Sequence, residues 1–296
     1  MKPVVIINPI SGTGGRPEIA KARVALAERV FRDRELDGAV FITERRRHAC
    51  ELTRLAVQNG ASLVIAWGGD GTVNEVGSQL AFGNVPLGIV PSGSGNGLAR
   101  TLGIPSTPAE AFDVALAGED FIIDAGEFDG HLFFNVAGVG FDARIAHEFA
   151  TNGLVKRGFG RYLQIAVKEL FTFEPDEHTI IADGDATRTR AMIIALANGR
   201  QYGNGAVIAP FARVDDARID VVVVRDRPVL ETLLEAPMLF AGQIARVRGV
   251  SMRPVTDVEI TSSRAVIYHI DGEPFVGAVS LKGRVRPRAL RVRVPR

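Results

Sequence analysis

The first 120 residues alternate between two hydrophobic periods. PVVII (residues 3–7) is a short apolar run rich in β-branched side chains, the pattern of a strand buried on both faces. From Glu18 to Arg32 the period lengthens. Ile19, Ala22, Val24, Leu26, Ala27, Val30 and Phe31 interleave with charges, as on an amphipathic helix. AVFIT (39–43), SLVIAW (62–67) and PLGIV (86–90) repeat the strand pattern. Residues 46–58, with Leu52, Leu55 and Ala56 inward, and residues 72–81 repeat the helical one, and a further helix begins near Asn96. This β-α alternation predicts a doubly wound parallel sheet.

After about residue 122 the texture changes to short strand-like pieces: FIIDAGEF, HLFFNVA, HTIIA, TRAMIIALA, IDVVVVR, DVEITS, AVIYHID, AVSLK and LRVRV. Turns such as Asp129-Gly130, Asp183-Gly184 and Asp271-Gly272 separate them. The pattern predicts a mainly antiparallel β domain, with helical inserts near 157–171 and 228–245. A boundary near Phe121 to Gly126 gives two domains, residues 1–123 and 124–296, and the final strand is free to return to the first. There is no fixed-period repeat and no low-complexity segment.

Composition narrows the classes without choosing one. The chain has 296 residues, 46% of them apolar and 23% charged, as expected of a globular protein. A net charge of +1 predicts no bulk attraction to nucleic acid or anionic lipid, so nucleic acid is not an expected partner. Cys50 is the only cysteine, which excludes a disulfide framework within one chain and fits a reducing, cytoplasmic setting. MKPVVIINP enters a strand pattern without the layout of a signal peptide. The uncharged stretch around Val76 to Ala99 is broken by Gly, Pro, Ser and Asn and does not read as a membrane span.

The chemistry gathers where the first four strands end. NPISGTGGR (8–16) follows the first strand, Thr43 ends the second, GGDGT (68–72) follows the third and PSGSGNGLAR (91–100) follows the fourth. In a parallel sheet these segments share the carboxyl edge, where ligands bind. Glycine lets backbone N–H groups approach phosphate, and helix N-termini favour anions. Taken singly, each loop could be an ordinary tight turn; together they point to a phosphate-bearing ligand. They are neither a Walker loop, since G-K-[ST] is missing, nor a G-x-G-x-x-G dinucleotide fingerprint. Asp70, inside GGDGT, carries the same sign of charge as phosphate. Its role among these loops is left open by the pattern alone. Asp271-Gly272 alone reads as a hairpin turn with Glu273 a solvated neighbour. Asp215-Asp216 reads as a surface turn. His48, His147 and His269 have no metal-ligand spacing and read as packing or surface residues.

GGDGTVNEV, preceded by NPISG and followed by PSGSGN, resembles the diacylglycerol kinase catalytic domain, a family that includes sphingosine kinases and bacterial lipid kinases. TERRRHA (43–49), FIIDAGEFDGHLFFNVAGVGFDARI (121–145), NGRQYGNGAVIAPFARVDDARIDVVVV (198–224) and HIDGEPF (269–275) are similar to further segments of that family, in its order. The resemblance implies an NAD-kinase-like α/β domain joined to a β domain, with a cleft between them, and an ATP-dependent, Mg²⁺-dependent lipid kinase. It implies that Asn8, Pro9, Ser11, Gly12, Thr43, Gly68, Gly69, Asp70, Gly71, Thr72, Asn74, Glu75, Ser94 and Asn96 surround ATP. Arg100 and Asp124 would face phosphate, metal or lipid head group. Glu273 would accept the hydroxyl proton, with Asp70 as a second catalytic candidate that could sit near Mg²⁺, accept loop N–H bonds or orient the attacking hydroxyl. Asp216 and the main-chain carbonyls of Arg213 and Arg218 would hold a structural Mg²⁺, a cation suited to hard oxygen ligands. The sequence departs from the family at Gly97, Ala217 and Arg218.

The implied acceptor is a lipid presented at a membrane surface, so peripheral attachment to the inner membrane is expected, and a homodimer is a possible assembly. The segment RPVLETLLEAPMLFAGQIA (227–245) would either dock on lipid or pack on the β domain. An NAD kinase shares GGDGT, and a non-catalytic nucleotide- or lipid-binding regulator would keep the same fold.

Overall fold

Five strands of the computed structural model run parallel because every crossover between the first four is helical. β1 (Pro3–Ile7), β2 (Ala39–Ile42), β3 (Leu63–Gly68) and β4 (Leu87–Pro91) pair in the order β2-β1-β3-β4. The end of β15 (Ser280–Val294) adds beside β4 through Val292 and Leu87. Residues 1–12, 16–151 and 159–296 are described. Thr13, Gly14 and Gly15 of the first glycine-rich loop, and residues 157–158 of the expected helical insert, lie outside the described residues. The chain divides into two compact units: Met1–Ile123 with Arg288–Arg296, and Asp124–Pro287.

In the first unit, β1, β3 and β4 are buried along their whole length, as their unbroken apolar runs require. Helices α1 (Pro17–Asp33), α2 (His48–Gln58), α3 (Asp70–Leu80) and α5 (Pro108–Ala117) supply the covering side chains, among them Ala27, Phe31, Ala56, Val76 and Phe112. Fully buried residues such as Ile6, Ile65 and Leu87 each contribute about 1.5–3 kcal/mol. Trp67 meets Phe112 edge to face at 5.3 Å, fixing α5 against the sheet. β2 is the edge strand, and Phe41 and Ile42 at its end are exposed. The strand order reverses direction between β1 and β3, so the loops leaving these two strands sit at the point of reversal, where open α/β sheets bind ligands. Two expectations shift here. The helix after β3 starts at Asp70 rather than Thr72, with Gly69 as its N-cap. The helix near Asn96, α4, is one short piece, Gly97–Thr101.

The second unit is antiparallel. β7 (Val136–Gly140), β8 (Glu177–Ala182), β9 (Asp185–Ala197), β12 (Asp257–Ser262), β13 (Ile267–Ile270) and β14 (Glu273–Val276) follow the path β14-β13-β7-β9-β8-β12-β15. β10 (Ile219–Arg225) pairs with β9 and carries β11 (Val250–Val255); β5 (Glu119–Phe128) pairs with β6 (His131–Phe133) and β15. Phe128, Phe133, Leu196, Ile260, Tyr268 and Leu281 form its central core. HLFFNVA, expected as one strand, breaks at Phe134 and Asn135, and AVSLK and LRVRV, expected as two, belong to the single long β15.

Helices α6 (Phe141–Thr151), α7 (Phe159–Leu170) and α8 (Val229–Phe240) lie outside the strand path. Phe141, Ile145, Ile165 and Leu170 form a satellite core on which Val229 and Leu233 of α8 rest. Leu239 joins another cluster, while Leu230 and Leu234 are exposed. The apolar segment thus packs on one side and leaves leucines open on the other. No helix among the described residues is long and apolar enough to cross a membrane.

Candidate functional site

Three loops meet at the carboxyl edge of the parallel sheet, held by backbone contacts that only glycine permits. Gly12 has φ +78°, and a Cβ there would lie 2.2 Å from the Ser92 carbonyl oxygen. A Cβ on Gly93 would lie 2.5 Å from Gly69 Cα. The loops after β1, β3 and β4 therefore touch main chain to main chain. Side chains complete the junction. Asn8 Nδ2 donates to Thr72 Oγ1 at 2.9 Å, joining the β1 and β3 loops across the strand-order reversal. The Ser11 and Ser92 hydroxyls are 2.6 Å apart, joining the β1 and β4 loops.

Asp70 joins the third side. Its Oδ2 accepts the Asn96 N–H at 2.8 Å and its Oδ1 the Gly97 N–H at 2.7 Å. It serves the N-terminus of α4, where a negative charge is favourable. Asn96 takes the left-handed conformation, and its side-chain amide exchanges two hydrogen bonds with the Gly93 peptide at 2.8 and 2.9 Å. Of the roles the sequence leaves open for Asp70, these contacts display the binding of loop N–H groups. Gly69, at the start of α3, has no side chain to cap that helix.

The remaining residues expected here divide. Thr43 extends the ladder by donating its N–H to Ile7 O at 2.9 Å. Ser94 is exposed in the β4 loop. Arg100 donates from Nε to Gly95 O at 3.1 Å and keeps its guanidinium beside that loop. Glu75 accepts the N–H groups of Arg47 and Ala49 at 3.0 and 3.1 Å, so its carboxylate serves the N-terminus of α2. Asn74, one turn into α3, accepts from Ser78 at 3.4 Å.

Arg23 is a member of this site that pattern reading passes over. It is buried in α1 and donates to Asn8 O, Ser11 Oγ and Ser11 O at 2.8, 3.0 and 3.0 Å. It also lies 5.8 Å from the Trp67 ring centroid. Burial lowers its pKa, but an arginine remains charged. Its only sequence signal is a charge on the inward face of an amphipathic helix.

A second group of candidates belongs to the second unit. Asp124 is buried; its Oδ2 accepts the Ala217 N–H at 2.6 Å, which sets it beside the Asp215-Asp216 turn. Burial raises the Asp216 pKa, and Asp124 and Asp215 push it the same way. Burial, then Asp216, lifts Asp220 to about 6. Hard carboxylate oxygens that repel one another suit a divalent cation, although Asp216 Oδ1 also accepts the Arg218 N–H at 3.1 Å. Among the described residues, no three His, Cys, Asp or Glu side chains form a metal-ligand group, so a cation here would depend on main-chain carbonyls such as those of Arg213 and Arg218.

The late D-G-E motif is a hairpin turn with a built support. Asp271 and Gly272, both at positive φ, link β13 to β14, and Ile270 pairs with Glu273. The buried Asp271 carboxylate accepts the N–H groups of Phe134, Asn135 and Val136, each at 3.0 Å. Those three bonds explain why β6 and β7 are separate strands. Glu273, half-buried, opens β14. His269, expected in packing or at the surface, is buried and hydrogen-bonded.

Comparisons with known proteins agree with this architecture. Residues 2–128 match the diacylglycerol kinase catalytic domain, and residues 135–294 match the YegS C-terminal NAD kinase beta sandwich-like domain. A Klebsiella pneumoniae (strain 342) protein named "Probable lipid kinase YegS-like" is 30% identical over 272 residues, 91% of this chain and 90% of that protein. A Pseudomonas aeruginosa protein of the same name is 31% identical, over 93% of this chain and 90% of its own. The crystal structure of a diacylglycerol kinase from Bacillus anthracis str. Sterne shares the fold, with a TM-score of 0.72 at 19% identity over 99% of this chain and 96% of that one. The chain therefore belongs to the family of lipid kinases built from a diacylglycerol kinase catalytic domain and a YegS-type C-terminal domain.

Proposed function

We propose that the protein is an ATP- and Mg²⁺-dependent lipid kinase that transfers the γ-phosphoryl group to a lipid hydroxyl. The observation that supports this most is the meeting of the β1, β3 and β4 loops at the strand-order reversal, with the start of α3 among them. In this reading Asn8, Ser11, Gly12, Thr43 and the 68–72 loop surround the nucleotide. Asp70 holds the third loop in place without occupying the phosphate position. Arg100 reaches phosphate or head group.

Glu273 is the proton acceptor. Its carboxylate takes the proton of the lipid hydroxyl as that oxygen attacks the γ-phosphorus; the bond from the γ-phosphorus to the β–γ bridging oxygen breaks, and ADP leaves. Mg²⁺ bound with ATP would offset the charge of the phosphates. A structural Mg²⁺ held by Asp216 and the carbonyls of Arg213 and Arg218, beside Asp124, would neutralise the acidic cluster. The acceptor is a diacylglycerol, a sphingoid base or a phospholipid head group on a membrane surface, with exposed Leu230 and Leu234 of α8 resting on lipid. Such attachment would be peripheral, from the cytoplasmic side.

Incubation with γ-labelled ATP, Mg²⁺ and a panel of these lipids, with NAD as a separate acceptor, tests the reading. Label in one lipid class supports it. Label in NADP alone replaces it with an NAD kinase, and bound ATP without transfer replaces it with a regulator.

A further inference from the structure

Behind the Asp271-Gly272 turn lies a buried polar network that the proposed chemistry does not yet use. His269 and Asp142 are 3% and 5% exposed, and His269 Nε2 lies 3.1 Å from Asp142 Oδ2. Tyr202 donates its hydroxyl to the same Oδ2 at 2.7 Å, and Asp142 Oδ1 accepts the Ala143 N–H at 2.8 Å. The other imidazole nitrogen, Nδ1, accepts the Gly272 N–H at 3.3 Å. A backbone amide can only donate, so Nδ1 must carry a lone pair. The proton of the neutral ring is then on Nε2, facing a carboxylate oxygen that can only accept. Every bond in the network agrees on one tautomer.

Space for the network is reserved. A Cβ on Gly138 would lie 2.2 Å from Asp142 Oδ2 and 2.9 Å from His269 Nε2. Burying a carboxylate and an imidazole costs stability unless each is satisfied, and apolar packing would serve a plain core better. An Asp-Gly two-residue turn also closes a hairpin without outside help. What the network adds is orientation. It ties the turn immediately before Glu273 to α6 through Asp142 and to the 198–207 segment through Tyr202.

We propose that His269 is a positioning residue: its neutral Nε2–H imidazole, set by Asp142 and Tyr202, holds the Gly272 amide and so aims Glu273. The proposal rests on Glu273 being the proton acceptor. His269 touches neither nucleotide nor lipid in this account and acts through the turn.

Two substitutions separate its two nitrogens. His269→Asn keeps an oxygen acceptor near the Nδ1 position; His269→Gln keeps a donor near the Nε2 position and loses the acceptor. With vesicles of mixed diacylglycerol, sphingoid base and phospholipid as acceptor, His269→Gln is expected to lower kcat about 10- to 100-fold, the scale of a small misplacement of a reacting group. KM for ATP stays unchanged, and His269→Asn retains most of kcat. In ¹⁵N spectra of the intact protein, the His269 ring, assigned by its loss in His269→Asn, shows the Nε2–H tautomer.

Equal kcat for the two variants overturns the proposal, as does a proton on Nδ1 in the spectrum, a reading that needs no variant to be active. Glu273→Gln run alongside keeps the failures apart. Full activity of that variant removes the proton-acceptor reading itself, whereas a dead Glu273→Gln beside two equal His269 variants removes only the positioning role.

Discussion

Asp70 carries a negative charge among loops suited to phosphate, and two backbone N–H groups of the β4–α4 loop take up that charge. Bonds to a charged acceptor are each worth about 1.5–3 kcal/mol. Asp70→Ala should therefore lower unfolding free energy by about 3 kcal/mol or more in a urea titration, with Asp70→Asn, which keeps one acceptor, losing less. Asp220 makes a prediction of opposite sign. Burial, then Asp216, raises its pKa from 3.8 to about 6. Below pH 3.8 both folded and unfolded chains hold the proton, and its stabilising effect is complete. As pH rises through about 6 the folded chain must give the proton up in a buried acidic setting, and that stability is lost. The difference is worth about 3 kcal/mol at most. Asp220→Asn should thus stabilise the metal-free protein at pH 7.5 and leave it nearly unchanged at pH 3.5, read from urea midpoints. At this scale, motif residues were legible as types and places, but their bonds were not. Nothing in WGGDGT says that Asp70 faces Asn96, and nothing in the α1 pattern marks Arg23 as the anchor of Asn8 and Ser11.

The elements show why particular glycines are needed. Gly69 and Gly93 let two loops approach main chain to main chain, so Gly93→Ala must push them apart. Overpacking of that kind costs about 1–3 kcal/mol. The expected result is at least about a tenfold weaker Kd for ATP by calorimetry, with circular dichroism unchanged; equal affinity would mean that the loop junction does not shape the nucleotide site. Periodicity located β1 to β4 and α1 to α3 within about two residues, because each has a strong apolar face or run. It missed α5, whose PAEAFDVALA has little polar contrast between its faces, and α6, whose FDARIAHEFAT follows a strand-like run without a cap signal. It passed over β14 because Pro274 and a preceding turn hide a four-residue strand. The break between β6 and β7 depends on Asp271, more than 130 residues away, which no local pattern records.

For the whole molecule, the switch from long to short periods near residue 122 foretold an α/β half and an antiparallel half, since period reflects which faces are covered. Strand order was not legible. The order β2-β1-β3-β4 is what sets the β1 and β3 loops at the point of reversal, and it arises from tertiary packing. The order of motifs along the chain carried the family, and the acceptor lipid has no comparable signature because apolar pockets draw on scattered side chains. The proposed phosphoryl transfer to lipid runs through Glu273. The most direct measurement is label transfer from γ-labelled ATP to lipid vesicles, compared between the intact protein and Glu273→Gln. The expected result is labelled lipid from the intact protein, at least about a 100-fold loss of turnover in the variant, and ATP binding retained in both. No labelled lipid from the folded protein with Mg²⁺, or a variant as active as the parent, would contradict it.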